Sequence, residues 1–149
     1  MENVNFKKEK LRKEIWEKME KAGLTLFPKP CFGRIPNFIN ADKAAAKLKM
    51  IPEYKNAKIV LVNPDSAQAP VREMVLRDGK TLVMPTPKLR KGFLIIKPEN
   101  VKGKERFAST IKGAFKLGEF IKEIPSADFI VEGCVAVDKR GHRLGKGGG

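Results

Sequence analysis

Apolar side chains recur at helical spacing between residues 6 and 22, where Leu11, Ile15, Met19 and Ala22 fall three or four apart. That spacing predicts one amphipathic helix. Turned at about 100° per residue from Leu11, the apolar sector runs to about 140° at Trp16. Nine charged residues of the segment fall outside it. Two cations break the rule: Lys8 projects near 60° and Arg12 near 100°, one turn apart and inside the face that should meet the rest of the protein.

The next segment, residues 27–38, carries Pro28, Pro30, Gly33 and Pro36 and reads as an ordered loop bearing aromatic side chains. Asn40 is placed to cap a short helix through Ala44, Ala45 and Leu48. Ile59-Val60-Leu61-Val62, stopped by Asn63-Pro64-Asp65, has the continuous apolar character of a strand buried on both faces. Helical spacing resumes at Val71, Met74 and Val75. Asp78-Gly79 then turns the chain into a strand at Thr81–Met84, halted by Pro85-Thr86-Pro87. Further strands are predicted at Phe93–Ile96, Phe129–Val131 and Val135–Val137, with a helix over residues 109–121 between them. This alternation predicts an α/β fold with a mainly parallel sheet. No internal repeat or linker divides the chain, which reads as one domain.

Composition narrows the function classes. The chain has 149 residues, 42% hydrophobic, with 31 Lys and Arg against 17 Asp and Glu, a formal charge of +14. Such a surface favours anionic partners, phosphorylated ligands or nucleic acid. No apolar run approaches the roughly 20 residues of a membrane span, and the first residues lack the apolar core of a signal peptide, so a cytoplasmic protein is expected. Cys31 and Cys134 stand far apart and His142 is the only histidine, a pattern unlike zinc or disulfide frameworks.

Three features could carry chemistry. Arg143-Leu144-Gly145-Lys146-Gly147-Gly148-Gly149 follows a strand and a turn. Its glycines let main-chain N–H groups approach a phosphate while Arg143 and Lys146 supply charge. It is not a Walker A loop, because the Gly-to-Lys spacing is wrong and no Lys-Ser or Lys-Thr follows. A flexible glycine tail is the alternative. The Lys8/Arg12 pair could bridge a polyphosphate, or lay its methylenes on apolar surface with its charges in water. Gly33-Arg34-Ile35-Pro36-Asn37-Phe38 offers a cation, an amide and a ring to a flat heterocycle, or is a structural loop plugged by Phe32 and Phe38. Asn63-Pro64-Asp65 and Met84-Pro85-Thr86-Pro87 lie at carboxyl ends of strands, where ligands of open α/β sheets bind.

In order and spacing these segments, with Lys8-x-x-Leu11-Arg12, Pro70-Val71-Arg72 and Pro87-Lys88-Leu89-Arg90, resemble the 5-formyltetrahydrofolate cyclo-ligase (methenyltetrahydrofolate synthetase) family over nearly the whole chain. The nearest branch is that of the methenyltetrahydrofolate synthetase domain-containing proteins. The resemblance implies a three-layer α/β sandwich of the NagB/RpiA/CoA-transferase-like kind, and ATP- and Mg2+-dependent conversion of 5-formyltetrahydrofolate to 5,10-methenyltetrahydrofolate. By the same likeness Lys8, Arg12, Arg143, Gly145, Lys146, Gly147, Gly148 and Gly149 hold ATP, with Arg143 and Lys146 the catalytic cations. The stretch containing Asn63, Asp65 and Gln68 binds the folate, joined by Arg34, Asn37 and Phe38. Such chemistry relies on positioning and charge stabilisation, and no Cys-His or Ser-His-Asp grouping is present.

The sequence departs from well-studied members twice. Their glycine loop runs on into an aromatic pair and a magnesium-binding Asp, whereas this sequence ends at Gly149; no metal ligand is assigned, and residues 1–149 read as a single domain cut short at its C-terminus. Their folate stretch carries a Glu shortly after its Asp, where this chain has Ser66 and Gln68. The expected partners are a small-molecule folate and ATP, bound by a monomer away from membranes. The competing readings are an inactive family fragment and a basic RNA-binding module. The latter is motivated by the cations between Lys88 and Arg106, although the aromatics sit mostly in apolar runs and not among those cations.

Overall fold

A computed structural model describes residues 3–147. The chain divides into two units, one made of residues 40–64 and 68–132, the other of residues 1–39, 65–67 and 133–149.

The first of these holds the sheet. Its elements in chain order are α2 (Ala41–Ala46), α3 (Pro52–Asn56), β1 (Ile59–Val62), α4 (Ala69–Arg77), β2 (Thr81–Pro85), β3 (Phe93–Ile96), α5 (Glu105–Ala108), α6 (Ile111–Leu117), β4 (Glu119–Ile121) and β5 (Phe129–Val131). The strand order is β4-β3-β2-β1-β5. β1 runs parallel to both β2 and β5, β3 runs antiparallel to β2, and β4 antiparallel to β3. Four strands therefore point one way and β3 alone is reversed, a mainly parallel sheet flanked by helices as in a three-layer α/β sandwich.

The branched runs of β1 and β2 are buried because helices cover both faces, and Val60, Val62, Leu82, Met84, Leu94 and Ile96 form the centre of the core. The β1-α4-β2 connection has the length a parallel crossover needs, with Pro70 in the first turn of α4. Asn40 does occupy the cap position of α2, but in the left-handed region and with no side-chain hydrogen bond.

The predicted helix over residues 109–121 ends at Leu117, and Glu119–Ile121 is instead an edge strand in register with β3, pairing Ile95 with Glu119 and Phe93 with Ile121. Gly118 is extended at φ −89°, ψ 172°, and a Cβ there would lie 2.9 Å from Ile96 Cγ1. A pairing distant in sequence thus prevails over local periodicity.

The Asp128 carboxylate seats β5 on β1 by accepting the N–H groups of Lys58 and Ile59, both at 2.9 Å. The Ile59 bond and then the Lys58 bond hold its pKa below the usual carboxylate value. A depressed folded pKa contributes stability in full above the unfolded value of about 3.9, and that contribution is lost as pH falls through the folded value. Stability is therefore expected to drop below about pH 4, and Asp128→Asn should flatten part of that drop. Urea unfolding at stepped pH reads this directly; an unchanged acid slope in the variant would refute it.

The other unit contains α1 (Val4–Lys21), the loop that follows it, and a hairpin of β6 (Ala136–Val137) and β7 (Arg143–Leu144). Asn3 caps α1 by accepting the Phe6 N–H at 2.7 Å. Trp16, Cys31 and Val135 form its small core, with Ile15 and Ile35 against it. The Asp138 carboxylate closes the hairpin turn by accepting the N–H groups of Arg140 and His142, each at 2.9 Å.

Candidate functional site

Of the two inward-projected cations of α1, the structure buries one. Arg12 is 8% exposed and lies with Trp16 on the helix's narrow buried stripe. Lys8 is solvent-exposed, as is Leu11, so the buried part of the helix is narrower than the predicted apolar face.

Arg12 meets the glycine loop directly. Its Nε donates to the Gly145 carbonyl at 2.7 Å across 133 positions of sequence, and its NH1 donates to the Glu9 carboxylate, with which it also pairs as an ion pair. Gly147 lies against the same guanidinium: it has φ +95°, and a Cβ there would come 3.1 Å from Arg12 NH1 and 3.3 Å from the Glu9 carboxylate. A side chain at 147 would thus be strained as well as crowded. Lys146 is exposed between them. Arg143, on β7, is exposed and donates through NH1 to the Gly133 carbonyl at 3.1 Å. The structure therefore brings together Arg12, Gly145 and Gly147, with Glu9 as a member that sequence spacing did not reveal. Gly148 and Gly149 lie outside the described residues.

Beside Glu9 opens a groove of about 650 Å³ lined by Phe6, Glu9, Lys10, Lys13, Trp16 and Phe32, within the ~300–1,000 Å³ range of small-molecule sites. Phe6 is 54% and Phe32 47% exposed, so Phe32 is not the core plug that the structural reading of its loop requires. Trp16 and Phe32 meet edge to face at 6.4 Å, and Trp16 Nε1 donates to the Arg34 carbonyl at 3.0 Å. The groove interleaves aromatic rings with lysines. Its rings come from two segments 16 or more positions apart, which is why the sequence alone did not show it.

The loop residues have definite roles. Asn37 donates to the Phe27 carbonyl at 2.9 Å and accepts the Phe38 N–H at 3.0 Å, while Phe38 is half-buried beside Thr25 in an isolated bridge. Both support the loop's shape. Arg34 is exposed. Burial, with Glu20's charge adding to it, raises the Cys31 thiol pKa; burial also raises that of Cys134 against the opposing pull of Arg143.

In the sheet unit, Asn63 lies just past the carboxyl end of β1, which has β2 on one side and β5 on the other, the place where α/β sheets bind ligands. Gln68 is buried at the N-cap position of α4. Asp65 belongs to the other unit and is half-buried there. Thr86 acts as strand punctuation, since its hydroxyl donates to the Gly92 carbonyl at 2.9 Å and accepts the Lys91 N–H at 3.1 Å.

Among the described residues no three His, Cys, Asp or Glu side chains gather to hold a metal ion. Among them also, no helix is long and apolar enough to cross a membrane.

One unit is thus an α/β sheet flanked by helices, and the other ties a glycine loop to a helix arginine. The chain belongs to the 5-formyltetrahydrofolate cyclo-ligase family, whose profile matches residues 4–149. Similar proteins include the methenyltetrahydrofolate synthase domain-containing proteins of Bos taurus and Mus musculus, each 37% identical over 95% of this chain, and of Homo sapiens, 34% identical over 98% of it. The chain spans about two fifths of those relatives, 39%, 40% and 39% of their lengths respectively. No solved structure matches it significantly.

Proposed function

We propose that this chain is an ATP-dependent 5-formyltetrahydrofolate cyclo-ligase, forming 5,10-methenyltetrahydrofolate, ADP and phosphate. The observation that carries the reading is the Arg12 to Gly145 bond, which joins a buried helix cation to the glycine loop at 2.7 Å. Main-chain N–H groups of that loop, with Lys146, Arg143 and Lys8, would hold the nucleotide's phosphates, and the aromatic groove beside Glu9 gives its base a place to stack. Arg12 would act mainly by setting the loop's shape, because its Nε and NH1 already have protein partners.

The folate is assigned to the stretch at Asn63, Asp65 and Gln68, with Arg34, Asn37 and Phe38 as further candidates. In the reaction the γ-phosphoryl group passes to the formyl oxygen and ADP leaves. The neighbouring folate nitrogen then attacks the activated carbon and gives up its proton to solvent, and phosphate departs as the ring closes. Cations beside the phosphates stabilise the transferring group and need no protein nucleophile.

Incubation with ATP and 5-formyltetrahydrofolate should produce the methenyl chromophore, followed by its absorbance, with one ADP formed per ring closed. ATP binding without any chromophore growth would sink the cyclo-ligase reading. A second reading, binding of single-stranded RNA, draws support from the same groove, since rings interleaved with lysines are what stacking sites use. RNA binding that weakens steeply with salt, together with no ATP binding, would favour it.

A further inference from the structure

Arg72 is a buried cation that the chemistry above leaves without a role. It is 2% exposed and sits on α4 among buried apolar neighbours Val71, Met74, Val75 and Leu76. An apolar side chain at that position would serve packing alone without the desolvation that a buried charge incurs. What the guanidinium adds is reach in two directions. Nε donates to the Ser109 carbonyl at 2.8 Å, at the junction of α5 and α6, and NH1 donates to the Asn63 carbonyl at 2.7 Å.

The second bond falls on the first residue of the folate stretch. The N–H of Asn63 is itself engaged by the Val131 carbonyl of β5 at 3.3 Å, and the following residue is Pro64, whose ring fixes φ. Asn63 is thus held on its amide side by β5, on its carbonyl side by Arg72, and in the next torsion by proline. Gln68, at the far end of the stretch, begins the helix on which Arg72 lies one turn later. Both ends are therefore referred to one rigid element. Side chains that issue from a backbone held in this way reach a ligand in a preset geometry.

We infer that Arg72 is a positioning residue for the folate, fixing the main chain at Asn63 so that the stretch beginning there meets the substrate in one conformation. This rests on the folate reading given above. Arg72→Lys keeps the charge but lacks the planar fork that reaches two carbonyls, and Arg72→Gln keeps donor capacity without charge.

The test measures, on both variants, thermal unfolding, calorimetric affinity for 5-formyltetrahydrofolate and for ATP, and amide hydrogen exchange. Expected are a folded Arg72→Lys protein, folate affinity weakened about tenfold, ATP affinity within about twofold, and faster exchange confined to residues 63–68. Unchanged folate affinity with unchanged exchange would overturn the inference. So would an equal loss of both affinities, exchange raised throughout the sheet, or failure of both variants to fold, each of which marks a purely architectural residue. Should the unaltered chain itself fail to bind 5-formyltetrahydrofolate, the folate reading falls. Exchange then decides alone: acceleration limited to residues 63–68 upholds the holding role of Arg72, and its absence overturns it.

Discussion

Gly113→Ala should lower the unfolding temperature by about 4–8 °C, the reverse of what alanine ordinarily does in a helix. Gly113 is buried in the first turn of α6, and its N–H donates to the Thr110 hydroxyl at 2.9 Å. That hydroxyl in turn donates to the Phe107 carbonyl at 2.6 Å. A Cβ at 113 would lie 2.5 Å from the Phe107 carbonyl carbon, closer still to its oxygen, and 3.0 Å from the Thr110 hydroxyl. Helix propensity alone favours alanine by about 1 kcal/mol. Overlap with main chain cannot be relieved by a rotamer change, so α5 and α6 must separate at a cost of about 3 kcal/mol or more. The net loss corresponds to the stated shift for a chain of this size. Thermal unfolding followed by circular dichroism measures it, and an unchanged or raised midpoint would show that the junction can give way.

The second large effect concerns Arg12. Arg12→Ala removes the bond to Gly145 and the support beneath Gly147, leaving the loop free to change shape. A hydrogen bond from a charged donor is worth about 1.5–3 kcal/mol, so ATP affinity is expected to fall about 10- to 150-fold. Arg12→Lys should resemble Arg12→Ala more than the parent chain, because one ammonium cannot serve Gly145 and Glu9 with the same fork. Calorimetric titration with ATP makes the comparison. If Arg12→Ala binds ATP as the parent does, the loop does not depend on the helix, and the nucleotide reading loses its main support.

The parts of this fold legible in the sequence were those set by local patterns. Ile59–Val62, Thr81–Met84 and Phe93–Ile96 announced themselves as strands because burial on a sheet demands contiguous apolar side chains. The reversal of β3 was not legible, since an apolar run carries no sign of direction. Nor was β4, where Phe120 and Ile121 continue the helical spacing of Ile111, Ala114 and Leu117, and only pairing with β3 decides otherwise. At the candidate site Arg12 was legible as a cation that broke its helix's pattern. Its partner Glu9 was not, because a glutamate on an exposed flank looks like any solvated charge. Arg72 went unremarked as a site residue for the opposite reason: nothing in Pro70-Val71-Arg72 indicates that the guanidinium turns inward to main-chain carbonyls.

Trp16 and Tyr54 are the only tryptophan and the only tyrosine in the chain, and each is buried in a different unit. Trp16 has its ring against Phe32, and Tyr54 donates its hydroxyl to Asp78 at 2.8 Å with Lys80 over its face. The protein therefore carries two native optical labels, one per unit, without any engineering. Tryptophan emission excited at the red edge reports melting of the helix-and-hairpin unit, and tyrosine difference absorbance reports the sheet unit. Superimposed curves would mean a single cooperative transition, and separated curves two autonomous ones.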